Sequence, residues 1–563
     1  MTSSPEALDE AIRRTQDYFL RTQHPAGYWL GDLESNVCMA AEYLLLTHFL
    51  GVGDEDLPDG RRRKVANYLR REQHEDGTWA IYHGGPPDLN ATVESYFALK
   101  LAGVSSADPA MIRARDWVLS AGGVPKVRVF TKIWLALFGQ WDWRGVPVLP
   151  PEMIFLPRWA PLNIYDFAAW ARATIVPMLI ILSERPTCPV PDDARIDELF
   201  PHGREGTDYR LPAPEGSAWG MLFHRADGLL RRVERFLPGA TREAAYRAAE
   251  EWILAHQEAD GAWAGIQPPW VYSLIALKVR GYPLDHPVMR RGIDAFESGW
   301  ALEDEETFNP QACVSPVWDT VLAMNALLDS GLAPDHPALV HAAHWLLGEQ
   351  VLTGGDWQVG APGVEPGGWS FEFENDLYPD TDDTAEALIA LSRVRLPDER
   401  RKDEAIERGR AWLIGMQSAN GGWGAFDRDN TRGIVGEIPF CDFGKVTDPP
   451  SEDVTAHVIE ALSLVGDAGS GAVRRGLSYL RRQHRPDGSW FGRWGVNYVA
   501  GTGSVLPAFQ AAGCDMSKRR FQRAAGWLIG SQNGDGGWGE DPRSYTDASW
   551  AGRGESTPSQ TAW

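Results

Sequence analysis

The chain is poor in cysteine, has no long uninterrupted apolar run, and carries no excess of basic charge. Its five cysteines, Cys38, Cys188, Cys313, Cys441 and Cys514, are scattered, odd in number and lack any CxxC spacing. That argues against a disulfide framework and fits a reduced, cytosolic compartment. The longest apolar run, Ala173 to Leu182, contains Thr174 and Pro177 and falls well short of the ~20 residues that span a bilayer. No basic stretch leading into an apolar core follows Met1, so secretion through a signal peptide is not expected. Lys and Arg number 54 against 77 Asp and Glu, a formal charge of −23. This removes the phosphate-neutralising surface on which non-specific nucleic-acid binding depends, and no nucleic acid is expected as a partner. Strand-like alternation and low-complexity linkers are also scarce. With 563 residues to bury, two largely helical domains are the default expectation.

What the chain has instead is a repeat. Five Gln-x-x-x-Gly-x-Trp segments are complete: Gln23/Gly27/Trp29, Gln73/Gly77/Trp79, Gln257/Gly261/Trp263, Gln417/Gly421/Trp423 and Gln532/Gly536/Trp538. Gln350/Gly355/Trp357 and Gln483/Gly488/Trp490 read as copies stretched by one residue. Each follows a helical pattern, as in Arg61 to Gln73 with Val65, Tyr68 and Leu69 on one face. Each Gln therefore ends a helix, each Gly occupies a turn that favours positive φ, and each Trp folds back with its indole N–H seeking an acceptor. Repeated helical hairpins cannot bury their apolar faces alone and must stack into an array or a closed barrel. The repeats thus describe scaffold, and chemistry has to be sought elsewhere.

Pro and Gly clusters at 84–87, 147–151, 186–191 and 365–368 predict long loops. The stretch from Gly216 to Pro238 mixes Trp219, Met221, Leu222, Phe223, Leu229, Leu230, Val233, Phe236 and Leu237 with Arg225, Arg231, Arg232 and Arg235. Two readings stand: a helix lying in a membrane interface with its arginines on anionic headgroups, or an ordinary core-facing helix.

Chemistry is suggested by Tyr378-Pro-Asp380-Thr-Asp382-Asp383-Thr-Ala, which sets three carboxylates at the start of an apolar helical stretch. Crowding and burial hold at least one such group above its ordinary ~4, so a neutral carboxylic acid can persist at neutral pH. Helix capping would use one Asp, not three. Metal binding would want further ligands, and no second acidic cluster or His pair stands at ligand spacing; none is expected. General acid catalysis needs a group that holds the acid in place. In Ser451-Glu-Asp453-Val-Thr-Ala-His457, Asp453 and His457 are four apart and share a helical face, although a lone His on such a face is more often structural. Aromatic residues crowd the loops: Trp134, Trp170, Trp318, Phe371, Phe373, Phe426, Phe440, Phe443 and Trp494. Their π-faces stabilise positive charge without offering a base, while any one of them could equally serve packing. Acid and aromatic wall together suggest carbocation chemistry.

At these residues the sequence resembles the squalene-hopene cyclase family of class II triterpene cyclases. The run Asp380-Thr-Asp382-Asp383-Thr-Ala resembles its DxDD acid motif, and the Gln/Gly/Trp segments resemble its QW repeats. Further matching strings are Gly265-Ile-Gln-Pro-Pro-Trp270, Ser315-Pro-Val-Trp-Asp-Thr320, Asn420-Gly-Gly-Trp-Gly424, Ile438-Pro-Phe-Cys-Asp-Phe443 and Phe491-Gly-Arg-Trp-Gly-Val-Asn-Tyr498. The resemblance runs from about Gln16 to Trp563.

The resemblance implies an all-α fold of two α/α-barrel domains with a central cavity between them. Residues 1–35 would supply the first helix of domain 1, 36–303 the inserted domain 2 with its membrane-interface helix, and 304–563 the rest of domain 1. It implies a protonation-initiated cyclase of squalene giving hopene and hopanol, without organic cofactor, on the cytoplasmic face of a membrane as a monotopic protein. A homodimer is among the assemblies left open. By the same resemblance Asp382 protonates the terminal alkene, His457 holds and acidifies it, Asp380 and Asp383 flank it, and Asp453 orients His457. Trp170, Trp318, Phe371 and Trp494, with Phe426, match cation-stabilising aromatics, and Gln267 and Pro268 lie near the final cation. Glu42, Glu94 and Arg128 match a water-ordering set. Phe167, Ile175, Phe440 and Cys441 match the constriction of the access channel.

Phe426 stands where some relatives have Tyr, Ala500 where relatives often have a second Tyr near the acid, and Ser556 to Trp563 stop short of the family's last repeat. The shortened tail keeps an inactive membrane-associated scaffold in view beside the cyclase reading, as well as a class II cyclase of another polyprene. A diphosphate-binding diterpene cyclase would want a basic site that is not found, and a protein prenyltransferase a zinc site that the cysteines do not offer.

Overall fold

The computed structural model describes residues 5–53, 56–58, 60–211, 217–234, 238–297, 299–441 and 444–563. Helices dominate, and the one β ladder among the described residues is the short antiparallel pair Ala301–Glu303 with Phe308–Pro310. The chain forms two compact units, one of residues 1–31, 315–431 and 448–563, the other of 32–314 and 432–447. Segment 432–447 therefore returns to the second unit, where a continuous stretch from 304 to 563 was expected.

Within each unit, helices buried on nearly every face alternate with amphipathic ones. In the second unit Val37–Leu50 packs against Leu89–Leu101 and Gln267–Val279, and the last of these against Ala169–Glu184. Their sequences have almost no polar side to present to water, so they form an inner layer. Helices such as Arg61–Arg71 and Gly239–Ala255 bury one stripe and stay outside. The first unit repeats the scheme. Pro316–Asp329, Thr381–Arg393, Glu452–Leu462 and Tyr498–Ala511 each neighbour the next, and Glu399–Met416 and Gly471–Gln483 lie outside them.

The repeat device explains the layering. In the regular copies the Trp donates its indole N–H to a carbonyl ten residues earlier, at the unpaired end of an outer helix: Trp79 to Leu69 at 2.7 Å, Trp263 to Ile253 at 2.8 Å, Trp423 to Leu413 at 2.7 Å. The Gln amide donates to its own repeat's glycine carbonyl and to the start of the next outer helix. Gln417 reaches Gly421 at 2.8 Å and Ala472 at 3.0 Å. At Gly421 φ is +93°, and a Cβ there would meet the Arg475 carbonyl at 2.8 Å, so only glycine suits the turn. Finally the Trp backbone N–H donates to a hydroxyl oxygen on the next inner helix, as Trp423 does to Thr455 at 3.0 Å.

Two copies differ from their reading in sequence. Gln350 donates to Gly367 and Ala405, and the indole that reaches back is Trp369, to Leu346 at 2.7 Å. The segment 351–366 carries an insertion inside the repeat, and Trp357 belongs to that enlarged loop. In the other copy Trp490 bonds Leu480 at the standard offset, and His484 stands in the Gln position, its ring 4.4 Å from that of Trp490.

Candidate active site

The scaffold delivers two inner helices to one place. The Trp369 carbonyl accepts from Asp380 N at 2.9 Å, and the Trp423 carbonyl from Ser451 N at 3.1 Å. Repeat tryptophans thereby fix the first residues of the acid helix Thr381–Arg393 and of the helix Glu452–Leu462 that carries His457. These two helices are direct neighbours.

Asp380 caps the acid helix, its Oδ1 accepting from the N–H groups of Asp382 at 2.9 Å and Asp383 at 2.7 Å. Burial, then the Asp380 charge, drives the Asp383 carboxyl well above the carboxylate range, so Asp383 keeps its proton. Asp382 points the other way. Its Oδ1 lies 2.7 Å from Nδ1 of His457, and Nε2 of the same ring lies 3.0 Å from Ser504 Oγ on Tyr498–Ala511. Burial opposes charge on His457, but the Asp382 carboxylate beside it, helped by Glu386 and Asp453, overrides this and lifts the imidazolium to about 10. Glu386, one turn beyond Asp382 and held by Asn325 at 3.1 Å, is itself pushed up to about 7 by burial.

Asp453 is a correction. It makes no hydrogen bond to His457, whose two nitrogens are taken by Asp382 and Ser504. Asp453 instead accepts from Ser451 Oγ at 2.6 Å and from the backbone N–H of Arg493 at 2.7 Å and Trp494 at 2.8 Å. It acts on the imidazole through charge and fixes the turn that presents Trp494. That Trp is 49% exposed and meets Phe426 edge to face at 6.1 Å. Phe426 is held by its N–H on Asp448 at 2.7 Å. Trp318 lies 6.4 Å from the His457 ring, Trp563 stacks on it at 5.6 Å, and Phe371 is half-buried in the loop between Trp369 and Asp380. Ser504 and Trp563 carried no signal in sequence. A small residue in an apolar helix and a terminal Trp look like packing until the imidazole is placed beside them.

The remaining sites fall in the second unit. Arg128 lies 3.6 Å from Glu94, which also accepts from the Thr131 hydroxyl, and Trp134 donates to Glu42 at 2.9 Å. Burial and Glu94 push Glu42 up to about 8. Gln267 is fully buried, its amide on the Met39 carbonyl at 2.9 Å and its Oε1 without a partner, and Pro268 follows in the same first turn. Phe167 and Ile175 are buried, Phe440 and Cys441 half-buried. The two segments are tied together by Ala168 N on the Val446 carbonyl at 2.8 Å and by the Trp170 indole on the Lys445 carbonyl at 3.0 Å. Phe443, Gly216, Arg235, Phe236 and Leu237 lie outside the described residues. Among the described residues, no three His, Cys, Asp or Glu gather as a metal ion would require, and no helix is long and apolar enough to cross a membrane.

Helix Ala218–Val233 buries only Gly220 and Asp227. Trp219, Met221, Leu222, Leu229 and Val233 are exposed, Leu229 by 61%. Its apolar face therefore does not point into a core, and the core-facing reading falls. The same unit exposes Phe155, Leu156 and Trp159, the last by 81%.

Comparison with known proteins agrees with this geometry. The family models for the squalene-hopene cyclase N-terminal and C-terminal domains match residues 12–306 and 314–563. The squalene-hopene cyclase of Alicyclobacillus acidocaldarius subsp. acidocaldarius is 48% identical over 562 residues, covering 99% of this chain and 87% of that protein. That of Schizosaccharomyces japonicus is 39% identical, covering 100% and 86%. A dammaradiene synthase from Dryopteris crassirhizoma is also 39% identical, covering 100% and 84%. With both halves of the chain matched, and an acid and an imidazole on neighbouring inner helices, this protein belongs to the squalene-hopene cyclase family of class II terpene cyclases.

Proposed function

We propose that the chain cyclises squalene, with Asp382 as the general acid, to hopene and hopanol. The observation that carries this reading is the buried contact of 2.7 Å between Asp382 and the His457 ring. When Asp382 carries a proton, one oxygen can accept a hydrogen bond from the imidazolium while the other delivers that proton, and the cationic neighbour stabilises the carboxylate left behind. The proton goes to the less substituted carbon of the terminal alkene, leaving a tertiary cation. Each following alkene attacks in turn, forming one C–C bond and moving the charge onward. Trp318, Phe371, Trp494 and Phe426, with Trp170, offer π-faces to that charge. The prefolded chain supplies proximity, and a dry cavity keeps water from ending the sequence early.

The last cation loses a proton, giving an isomer of the substrate, or takes water and loses a proton, giving the alcohol. Either way the proton spent at Asp382 is balanced by one released at the end. Glu42, Glu94 and Arg128 are the groups proposed to order the water there, with Gln267 and Pro268 near the final cation. A related dammaradiene synthase shows that product identity varies among such sequences, so the hopene skeleton is the proposal and not the family's necessary outcome.

The substrate is proposed to enter from a membrane, past Phe167, Ile175, Phe440 and Cys441. Support comes from the exposed apolar face of Ala218–Val233 with Arg225 and Arg232 exposed on the same helix, which suits an anionic interface. The cytoplasmic leaflet and a homodimer belong to this proposal. Incubating the purified protein with squalene in detergent and analysing the extracted lipids tests it. Pentacyclic product that disappears in Asp382→Asn supports the reading, and absence of product from folded protein overturns it in favour of a scaffold.

A further inference from the structure

The imidazole at the centre of this site has a second contact with no role in the reading above. Nε2 of His457 lies 3.0 Å from Ser504 Oγ, and the same Oγ lies 3.0 Å from the carbonyl of Ala500, one turn back on its own helix. A serine hydroxyl has one hydrogen and two lone pairs, and a carbonyl oxygen can only accept. When the hydrogen goes to Ala500, Oγ faces the ring with a lone pair, and Nε2 must bring a hydrogen to meet it. Both Ser504 and His457 are only 6% exposed, so water offers little competition.

We propose that Ser504 is a positioning residue that holds His457 as a doubly protonated donor, Nε2–H on Ser504 and Nδ1–H on Asp382, so that only the Asp382 side of the ring can exchange a proton. This rests on the reading of Asp382 as the acid and deepens it. A ring anchored at one nitrogen cannot flip by half a turn, which would put carbon atoms where the two hydrogen bonds are made. Nor can it favour the neutral form bearing hydrogen on Nδ1 alone, which would leave Nε2 as a base against the hydroxyl. Loss of the ring proton must therefore occur at Nδ1, at the carboxyl it serves.

The charged surroundings favour the same form. Asp382 and Glu386 face the ring from the acid helix, and Asp453 and Glu460 from its own. Tyr498–Ala511 has Tyr498 as its only titratable side chain. On Pro316–Asp329, Asp319 is occupied by Gly31 N and Ser315, and Asp329 by Arg393. The cation these elements carry besides the ring, Arg393 at the far end of the acid helix, is paired with Asp329 and Asn325, and Ser504 is a neutral group placed to take the imidazolium's second hydrogen. Ala500 keeps that corner free of any larger side chain.

The test compares Ser504→Ala and Ser504→Thr with the parent protein in two measurements. In 15N-histidine spectra, with the His457 signals assigned by difference from His457→Asn, the parent should show both ring nitrogens protonated at pH 7. Ser504→Ala should move the loss of that state down by roughly one pH unit, the size expected for losing a hydrogen bond to a charged group. In squalene turnover, Ser504→Ala should lower kcat roughly tenfold with KM little changed, and should shift the alkaline limb of the profile by the same amount. Ser504→Thr, which keeps the hydroxyl, should restore both. An unprotonated Nε2 in the parent overturns the proposal, as does a Ser504→Ala protein with an unmoved ring titration. If the parent makes no product, the cyclase reading fails by itself, and the spectra still decide the role of Ser504.

Discussion

The molecule buries acidic side chains in two places and gives them different partners. In the first unit Asp380, Asp382 and Asp383 cluster and Asp382 meets His457, and in the second Glu94 meets Arg128 with Glu42 beside them. Guanidinium never gives up its proton under ordinary conditions, so the Glu94–Arg128 pair is a fixed dipole that can orient water but cannot be reset. Imidazolium holds its proton only while its neighbours favour it, so the Asp382–His457 pair can pass through several protonation states in one turnover. The difference teaches how a single acidic chain separates two jobs. A titratable cation stands where a proton has to leave and return, and a permanent one where polarity must simply persist.

Removing the acid should produce the largest effect. Asp382→Asn keeps the shape and the contact with His457 and removes the transferable proton, so turnover should fall by about 10³-fold or more while the thermal midpoint stays near the parent's. Lipid extracts and a melting curve measured on the same preparation check both halves. Next comes His457→Arg, which imports the second unit's solution into the first. The carboxyl keeps a cationic neighbour, but the neighbour no longer titrates and has no fixed ring geometry. Turnover should drop by about 10²-fold, and the alkaline limb expected for the parent near the imidazolium's value of about 10 should be absent. An Arg variant with parental rates would break the comparison.

In the second unit the matching substitution acts on stability, not on the start of the reaction. Glu94→Gln leaves Arg128 without its carboxylate. Arg128 keeps some solvent, with 30% of its side chain exposed, so the cost should be about 2 kcal/mol and not the full penalty of a buried unpaired charge. Denaturant unfolding measures it. The ratio of alcohol to alkene should also change, while consumption of squalene should not fall as far as in the Asp382 variant.

Much of this contrast could be read in sequence because the repeats and the acid motif are local patterns. A Gln, a Gly and a Trp at fixed spacing are joined by hydrogen bonds over four and ten residues, and Asp380 caps its own helix two and three residues on. What could not be read depends on contacts distant along the chain. Gln350 closes on Gly367 because the segment 351–366 carries an insertion, and the nearer Gly355 and Trp357 mimic the spacing by coincidence. Asp453 shares a helical face with His457, yet Arg493 and Trp494 offer it two N–H donors from a loop forty residues away, and those win. Ser504 meets His457 only because the two inner helices lie side by side, a pairing that no sequence period encodes.

The smallest expected effect sharpens the contrast most. Burial holds Glu42 up to about 8, so at pH 7 it already carries its proton and behaves as a neutral donor and acceptor beside Trp134. Glu42→Gln is then close to isosteric and isoelectric with the folded group, and below pH 4.5, where the unfolded group is protonated too, it should change stability by less than about 1 kcal/mol. The sign of its pH dependence follows from the folded group binding its proton more tightly than the unfolded one. The contribution is complete below the unfolded value near 4.5 and is lost as pH rises toward 8. The parent should therefore lose stability relative to Glu42→Gln across that window, a divergence that melting curves at pH 5, 7 and 9 would reveal. Parallel curves would mean that Glu42 is ionised throughout, and that Arg128 serves two carboxylates instead of one.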